Sequence, residues 1–132
     1  MKKNVLLSIK PKYVNAILRG EKKFEFRKVI PRSKEIENIY IYSSAPIQKI
    51  VGKFSLRKII QAHPEEIWEQ CHEYAGISEA EFFQYYDGRV EAYSLCIADL
   101  EIFEEAICPY NTFKKFTPPQ SFMYYDKLEL AN

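Results

Sequence analysis

Strand-like alternation of apolar and polar residues recurs along this chain, but two helical segments separate the early strands from the late ones. The alternation predicts strands over residues 5–9, 23–30, 38–44, 49–60, 92–103 and 106–108. Apolar residues at helical spacing predict helices that begin at Pro11, at Pro64 and after Ser78. Strands that are distant in sequence must therefore pair to cover both sheet faces. We predict an α+β fold, a small mixed β-barrel of five or six strands with flanking helices.

The 132 residues, of which 47% are hydrophobic and 28% charged, are enough for a single domain spanning residues 1–132. Apolar runs such as residues 95–98 are too short to cross a bilayer, so we expect no membrane association. Lys10 and Lys12 follow the first apolar residues too closely for a signal peptide. The three cysteines form no CxxC pair, which favours a reduced, cytoplasmic protein.

Only two histidines and four glycines are present, and neither group forms a known binding motif. The histidines and cysteines lack the spacing of a structural zinc site. No phosphate-binding loop or dinucleotide fingerprint can be assembled from the glycines. We therefore predict no metal and no cofactor.

The net charge of +1 hides a strong separation of charge along the sequence. Residues 1–60 hold 15 Lys/Arg and 4 Asp/Glu, a net of +11. Residues 61–108 hold 1 Lys/Arg and 12 Asp/Glu, a net of −11. The pattern is compatible with a basic nucleic-acid-binding side, although the sequence alone leaves open whether folding keeps the two halves apart.

The densest polar cluster spans residues 20–28, where the first helix leads into the second strand. Alternation places Glu25 and Arg27 on one face, with Lys22 near the junction. A carboxylate between two cations stays ionised and can accept a proton or orient a substrate amine. The alternative is a solvated strand face with ordinary ion pairs, each contributing about 0–1 kcal/mol.

This cluster contains Gly-x-Lys-x-x-Glu-x-Arg, at Gly20, Lys22, Glu25 and Arg27, which resembles the signature of the ASCH domain family. Other segments in the same order are also similar to that family: Leu7–Pro11 with Tyr13, Tyr42–Pro46, Val51-Gly52 and Pro119–Phe122. The resemblance implies a PUA-like fold. It also implies a cleft beside the barrel, lined by the motif, for RNA or a nucleotide-like ligand.

One branch of the family consists of amidohydrolases that act on N4-acetylcytidine. The resemblance implies catalytic roles for Lys22, Glu25 and, by a loose alignment, Glu73. That branch has a Thr nucleophile where this chain has Glu25, so a covalent hydroxyl mechanism is not available here. The alternative is that Glu25 activates a water molecule while Lys22 stabilises the oxyanion.

We predict an RNA- or nucleoside-binding module whose partner is RNA or a modified nucleoside. The expected ligand-binding residues, besides Lys22 and Glu25, are Arg27, Tyr42, Ser44 and Gln120. The expected phosphate-binding residues are Lys10, Lys12, Arg19, Lys53 and Arg57. Two alternatives stay open: an amidohydrolase acting on N4-acylated cytidine or a similar small amide, and a protein–protein interaction domain. The sequence therefore leaves open whether the protein is an enzyme.

Overall fold

The computed structural model describes residues 2–33 and 35–131. Its strands are β1 (Lys3–Ile9), β2 (Phe24–Arg27), β3 (Ile36–Ser43), β4 (Lys49–Ala62), β5 (Ala92–Ile107) and β6 (Phe122–Tyr124). Its α-helices are α1 (Pro11–Leu18), α2 (Pro64–Cys71), α3 (Glu79–Tyr85) and α4 (Pro109–Thr112). Short 3-10 turns cover His72–Tyr74 and Tyr125–Lys127.

Within the described residues the strands form one curled, mixed sheet of six strands, in the order β2-β5-β4-β3-β1-β6. Strands β1 and β3 pair in parallel, and the other neighbouring pairs are antiparallel. The α+β prediction is confirmed, and the barrel takes the form of a half-barrel. Strands distant in sequence do pair, since β1 lies between β3 and β6.

The helices begin where local chemistry predicts. Pro11 and Pro64 occupy first-turn positions, where a missing N–H leaves no hydrogen bond unmade. The Ser78 side chain caps α3 by accepting a hydrogen bond from the Glu81 N–H at 3.1 Å. Glu65 and Glu66 lie in the first turn of α2, where the helix dipole favours negative charge.

The antiparallel pairing of the long strands β4 and β5 is irregular. Their register shifts between Ile50 and Gly52 and at two further places. A Cβ atom at Gly52 would lie 2.5 Å from the carbonyl oxygen of Glu101, so only glycine allows this close approach of the two backbones. A glycine inside a strand pattern is typical of such a close approach, and Gly52 is an instance of it.

Most strand ends lie within two residues of their predicted positions, and three larger differences are found. Residues 92–107 form one strand instead of two, because β5 stays paired with β4 up to Ile107 although much of its second half is exposed on both sides. Strand β2 ends at Arg27 instead of Ile30. A further strand that the alternation does not predict, β6, begins at Phe122, because Phe122 pairs with Leu7 of β1. Without a buried face, the second half of β5 has no regular alternation.

Buried side chains form three apolar clusters around the sheet. The first lies between α1 and the sheet and includes Val5, Ile17 and Phe54. The second packs α2 and α3 against β2 and β5, where Phe26 meets Phe82 edge to face at 5.0 Å. The third holds the C-terminal segment on the sheet; its fully buried members are Leu6, Tyr42, Ile50 and Phe113.

The basic and acidic halves of the sequence are not kept apart by folding. The basic strand β4 pairs with the acidic strand β5 along most of its length. Arg57 of β4 forms an ion pair with Asp99 of β5, and Lys12 of α1 forms one with Glu81 of α3. The electrostatic potential at a given surface is therefore set by the charged residues that lie there and not by the net charge of either half of the sequence.

None of the helices in residues 2–33 and 35–131 has the length and apolar character that crossing a bilayer requires. The cytoplasmic location stays a prediction.

Candidate nucleic-acid interface

A cleft of about 860 Å³ opens beside the end of the half-barrel where β1, β2 and α3 meet. Its walls come from five parts of the chain: the end of β1 with α1, the segment from Lys22 through β2 to Val29, Ser44 after β3, Ile77 with α3, and residues 119–121. The polar and aromatic lining residues are Ser8, Lys10, Tyr13, Lys22, Glu25, Phe26, Arg27, Lys28, Ser44, Glu81, Gln84, Tyr85, Gln120 and Ser121. The volume suits a drug-sized or nucleotide-sized ligand, since such sites measure about 300–1,000 Å³.

Backbone hydrogen bonds bring these distant segments together. The Ser44 N–H donates to the Ile9 carbonyl at 2.9 Å, which fixes the end of β3 beside the end of β1. The Ser8 N–H donates to the Ser121 carbonyl at 3.0 Å, which holds residues 119–121 against the other side of β1. Ser44 and Gln120 therefore reach the same cleft although 76 positions separate them in sequence.

Lys22, Glu25 and Arg27 form a nearly dry charged row at the base of the cleft. Lys22 is 3% exposed and Glu25 5%. One oxygen of the Glu25 carboxylate lies 3.8 Å from the Lys22 amine, and the other accepts a hydrogen bond from the Arg27 guanidinium at 3.1 Å. Arg27 also donates to the Ser121 hydroxyl at 2.6 Å. Such a desolvated row is held by its mutual contacts, because an unpaired buried charge is strongly unfavourable.

The Lys22 amine is unusually placed for a lysine. It donates a hydrogen bond to the Ala75 carbonyl at 2.8 Å and lies over the Phe26 ring, 4.5 Å from its centroid. Burial lowers the pKa of Lys22, while the Glu25 carboxylate acts in the opposite direction. Lys22 and Ala75 also form an antiparallel bridge, so the segment after the first helix is fixed to the turn that precedes α3.

A second polar group bridges the mouth of the cleft from α1 to α3. The Glu81 carboxylate accepts hydrogen bonds from the Tyr13 hydroxyl at 2.8 Å and the Lys12 amine at 2.9 Å. The hydrogen bond from Lys12 lowers the pKa of Glu81. Burial, together with the hydrogen bond to Glu81, raises the pKa of Tyr13 to about 12. Tyr13 therefore stays a neutral hydroxyl donor at physiological pH.

An aromatic ring with a cation above it lies at the rim. Tyr85, at the end of α3, is 37% exposed, and the Lys28 amine lies 4.6 Å from its ring centroid. Lys28 follows directly after β2, so the pair combines a stacking surface with a positive charge.

Six of the predicted residues line this cleft: Lys10, Lys22, Glu25, Arg27, Ser44 and Gln120. Lys12 lies at its mouth through the contact with Glu81. The helix-to-strand cluster is thus the base of a cleft and not a solvated strand face.

Tyr42 and Glu73 are not placed in the cleft, which corrects the expectation from sequence. Tyr42 is 1% exposed, because the C-terminal segment covers its face of β3 and Phe116 packs on its ring at 5.3 Å. Glu73 is exposed on the 3-10 turn after α2 and lines no part of the cleft. The carboxylate that α3 brings to the cleft is Glu81 instead.

Three of the predicted phosphate-binding residues also lie elsewhere. Arg19 forms an exposed ion pair with Glu21 at 3.0 Å, and the Lys53 amine lies over the Tyr40 ring. Arg57 forms an ion pair with Asp99 and lines a separate groove. The prediction for these three residues rests on their charge alone. Charge does not specify on which side of a curled sheet a residue lies.

Sequence reasoning missed Glu81, Tyr85 and Ser121 as lining residues. Ser78 and Glu81 match a helix-capping box, which accounts for Glu81 without a role in the cleft. Phe82, Phe83 and Tyr86 account for the apolar residues of α3, so that Tyr85 has no pattern of its own, and the signal for Ser121 is its place in the segment Pro119–Phe122. Within residues 2–33 and 35–131, no group of three His, Cys, Asp or Glu side chains is placed to hold a metal ion.

A half-barrel that carries a charged cleft between its first strand and an inserted helical pair defines a class of small mixed-sheet domains. The ASCH domain model matches residues 7–127, so the chain belongs to the ASCH domain family. The PUA-like fold expected from the resemblance is confirmed.

Known relatives agree with this assignment. The chain is 28% identical to an ASCH domain-containing ribonuclease from Zymomonas mobilis, over 97% of this chain and 88% of the relative. A crystal structure of ASCH from Zymomonas mobilis superimposes with a TM-score of 0.83 at 27% identity, covering 95% of this chain and 89% of that one. A crystal structure of a point mutant of the Zymomonas mobilis protein gives a TM-score of 0.84 at 26% identity, covering 96% and 92%.

Proposed function

We propose that the protein binds RNA and that the cleft holds one nucleotide of a single strand. The observation that carries this proposal is the composition of the cleft, where cations, free polar groups and aromatic faces converge around a nucleotide-sized space. The similarity to a protein described as a ribonuclease supports RNA as the ligand class.

The charged groups favour an anionic ligand. The cleft is lined by four cations, Lys10, Lys22, Arg27 and Lys28, and by two carboxylates, Glu25 and Glu81. Lys22 and Arg27 are engaged by Glu25 at the base, so the outer lysines Lys10 and Lys28 are the cations available to phosphate. Their flexible ammonium groups bind phosphate as point charges.

The uncharged groups favour a base over a bare phosphate. Tyr85 and Tyr13 present rings at the rim, and single-stranded bases stack on such rings for about 1–3 kcal/mol each. Ser44 and Gln120 have no side-chain hydrogen bond within the described part of the chain, so both can read the edge of a base.

The test is equilibrium binding of a fluorescent single-stranded RNA trinucleotide across a salt series. We expect log K to fall with log salt by about 0.7 per phosphate contact. Lys28→Gln should weaken binding about fivefold at 0.1 M salt, through loss of one contact. Lys23→Gln is the matched control, because Lys23 lies over the Tyr74 ring at 4.2 Å but outside the cleft. Absence of binding at 0.05 M salt would contradict the proposal.

A second candidate function, catalysis at the same cleft, is favoured by the depressed pKa of Lys22. A lysine whose pKa is lowered by burial gives up its proton more readily than an exposed one, and the neutral amine can accept a proton. In RNA this amine would take the proton from a 2′-hydroxyl as its oxygen attacks the adjacent phosphorus. The bond from phosphorus to the 5′-oxygen would break, that oxygen would leave with a proton from water, and the outer lysines Lys10 and Lys28 would stabilise the phosphate charge. In an N4-acylated cytidine the amine would take a proton from a water molecule that attacks the amide carbonyl, and the C–N bond would then break to release cytidine and the carboxylic acid.

Two substrates distinguish these reactions. If the protein cleaves RNA, incubation with single-stranded RNA should give 2′,3′-cyclic phosphate ends. RNA with 2′-deoxy linkages should then stay intact. Incubation with N4-acetylcytidine should release cytidine if the second holds. Either activity should be lost in Lys22→Met and kept in Lys23→Met. Equal turnover by both variants would exclude Lys22 as the base.

A further inference from the structure

A second basic groove of about 610 Å³ continues the surface beyond the cleft. It lies between the segment that follows β2 and the middle of β4. Its cations are Arg32, Arg57 and Lys58, and its aromatic side chain is Tyr93. Val29 lines both the groove and the cleft and is 57% exposed, so the two share one wall.

The charge of the groove is positive and partly unneutralised. Arg57 forms an ion pair with Asp99, and both side chains are more than half exposed. Across residues 2–33 and 35–131, neither Arg32 nor Lys58 takes part in an ion pair with another described residue, and both are exposed. No carboxylate is among the lining residues of the groove. Cations that line a groove attract a polyanion where the lining itself carries no carboxylate; the neighbouring carboxylates Asp99 and Glu91 lie outside the lining and are engaged by Arg57 and Tyr93.

The fold explains why the groove and the cleft are continuous. Arg27 on β2 pairs with Tyr93 on β5, and Tyr93 pairs with Gln61 on β4, so a row across the sheet leads from the cleft towards the groove. The register between β4 and β5 shifts between Leu56 and Ile59, next to Arg57 and Lys58. Bulges at such shifts change the direction in which neighbouring side chains point.

We propose that this groove, lined by Arg32, Arg57, Lys58 and Tyr93, binds the phosphate backbone of the same RNA strand whose nucleotide occupies the cleft. The strand would pass over Val29, an apolar surface without a charge that repels phosphate. The inference rests on the proposed function of the cleft and extends it: the ligand is an RNA strand longer than the cleft can hold, not a free nucleoside.

The experiment compares a 3-nucleotide and a 12-nucleotide single-stranded RNA of the same repeating sequence. The probe is fluorescence anisotropy with the full chain at several salt concentrations. We expect the longer RNA to bind more tightly and with a steeper salt slope. Arg32→Gln/Lys58→Gln should weaken the 12-nucleotide RNA by about 10- to 30-fold at 0.1 M salt and lower its salt slope by about 1.4, while the trinucleotide is unaffected.

The matched control is Lys114→Gln/Lys115→Gln, which removes two exposed lysines from outside both cavities. It should leave both RNAs bound as in the wild type. Equal affinity for the two RNA lengths would overturn the proposed role of the groove, and so would an unchanged affinity of Arg32→Gln/Lys58→Gln for the 12-nucleotide RNA. Neither result would contradict the proposed role of the cleft. If the wild type binds neither RNA, the proposed function fails and the groove with it. Equal competition by a polyglutamate of similar length would overturn the assignment to RNA.

Discussion

Gly76 lies directly against the side chain of Lys22. A Cβ atom at this position would overlap Cβ and Cγ of the lysine, and the backbone at Gly76 has a φ of +63°. The turn that contains Gly76 also supplies the Ala75 carbonyl to the Lys22 amine. Gly76 and Lys22 therefore set each other's position, and the base of the cleft depends on a glycine outside it.

Gly76→Ala should destabilise the protein by about 3 kcal/mol, from a left-handed backbone and from overlap with a buried side chain. Gly88→Ala is the control, since Gly88 has a φ of +78° but no heavy atom within 4 Å of an added Cβ. It should cost only about 1 kcal/mol. The free energy of unfolding, measured in urea, checks both. An equal loss of unfolding free energy in Gly76→Ala and Gly88→Ala would show that the Lys22 side chain does not restrict the turn at Gly76.

The burial of Lys22 predicts a pH dependence. Its pKa is lower in the folded protein than its ordinary value of 10.5, so the unfolded chain binds more protons between the two values. Stability contributed by this group therefore rises as pH increases through that interval. The unfolding free energy of the wild type minus that of Lys22→Met should increase from pH 7 to pH 10. A difference that stays flat over this range would mean that the amine is not desolvated.

Tyr85→Ala should weaken binding of a trinucleotide RNA by about 1–3 kcal/mol, because the ring is lost as a stacking surface. Tyr74→Ala is a close match: Tyr74 is 45% exposed and also lies under a lysine, Lys23, but is not part of the cleft. Its loss should leave affinity unchanged. Fluorescence anisotropy at one salt concentration measures both, and a comparable loss in Tyr74→Ala would argue against stacking at the rim.

Glu81→Gln should tighten RNA binding about fivefold at 0.1 M salt, because it removes a negative charge from the cleft and releases Lys12 for one more phosphate contact. Glu73→Gln removes the same charge from an exposed turn outside the cleft and should have a smaller effect. The salt slope of binding separates the two: it should steepen only in Glu81→Gln. Weaker binding in Glu81→Gln would indicate that the carboxylate contacts the ligand itself.

The elements that the sequence predicts well are those in which one face is buried. Alternation in β2 places Phe24 and Phe26 in the apolar cluster beneath α2 and α3 and brings Glu25 and Arg27 to the cleft, which Phe26 also borders. Prolines and a serine mark the starts of the helices because their effects are local. These signals need only a few neighbouring residues to be interpreted.

The features that it does not predict depend on contacts between distant residues. Tyr42 alternates with the core residue Ile41 and so looks available to a ligand, but Phe113 and Phe116 come from the other end of the chain to cover it. Glu81 reaches the cleft only because α3 packs beside α1. No local pattern contains that information, since long-range packing decides both cases.

The contact between Arg27 and Ser121 has a consequence for how the protein is made. The ribosome delivers residues 119–124 well after α1, β2 and α3 have emerged, and β6 pairs with β1 only then. Until that pairing forms, Arg27 lacks its hydroxyl partner and the cleft lacks one wall. Completion of the cleft is therefore a late event in synthesis, and an unfinished chain lacks the wall that residues 119–121 form.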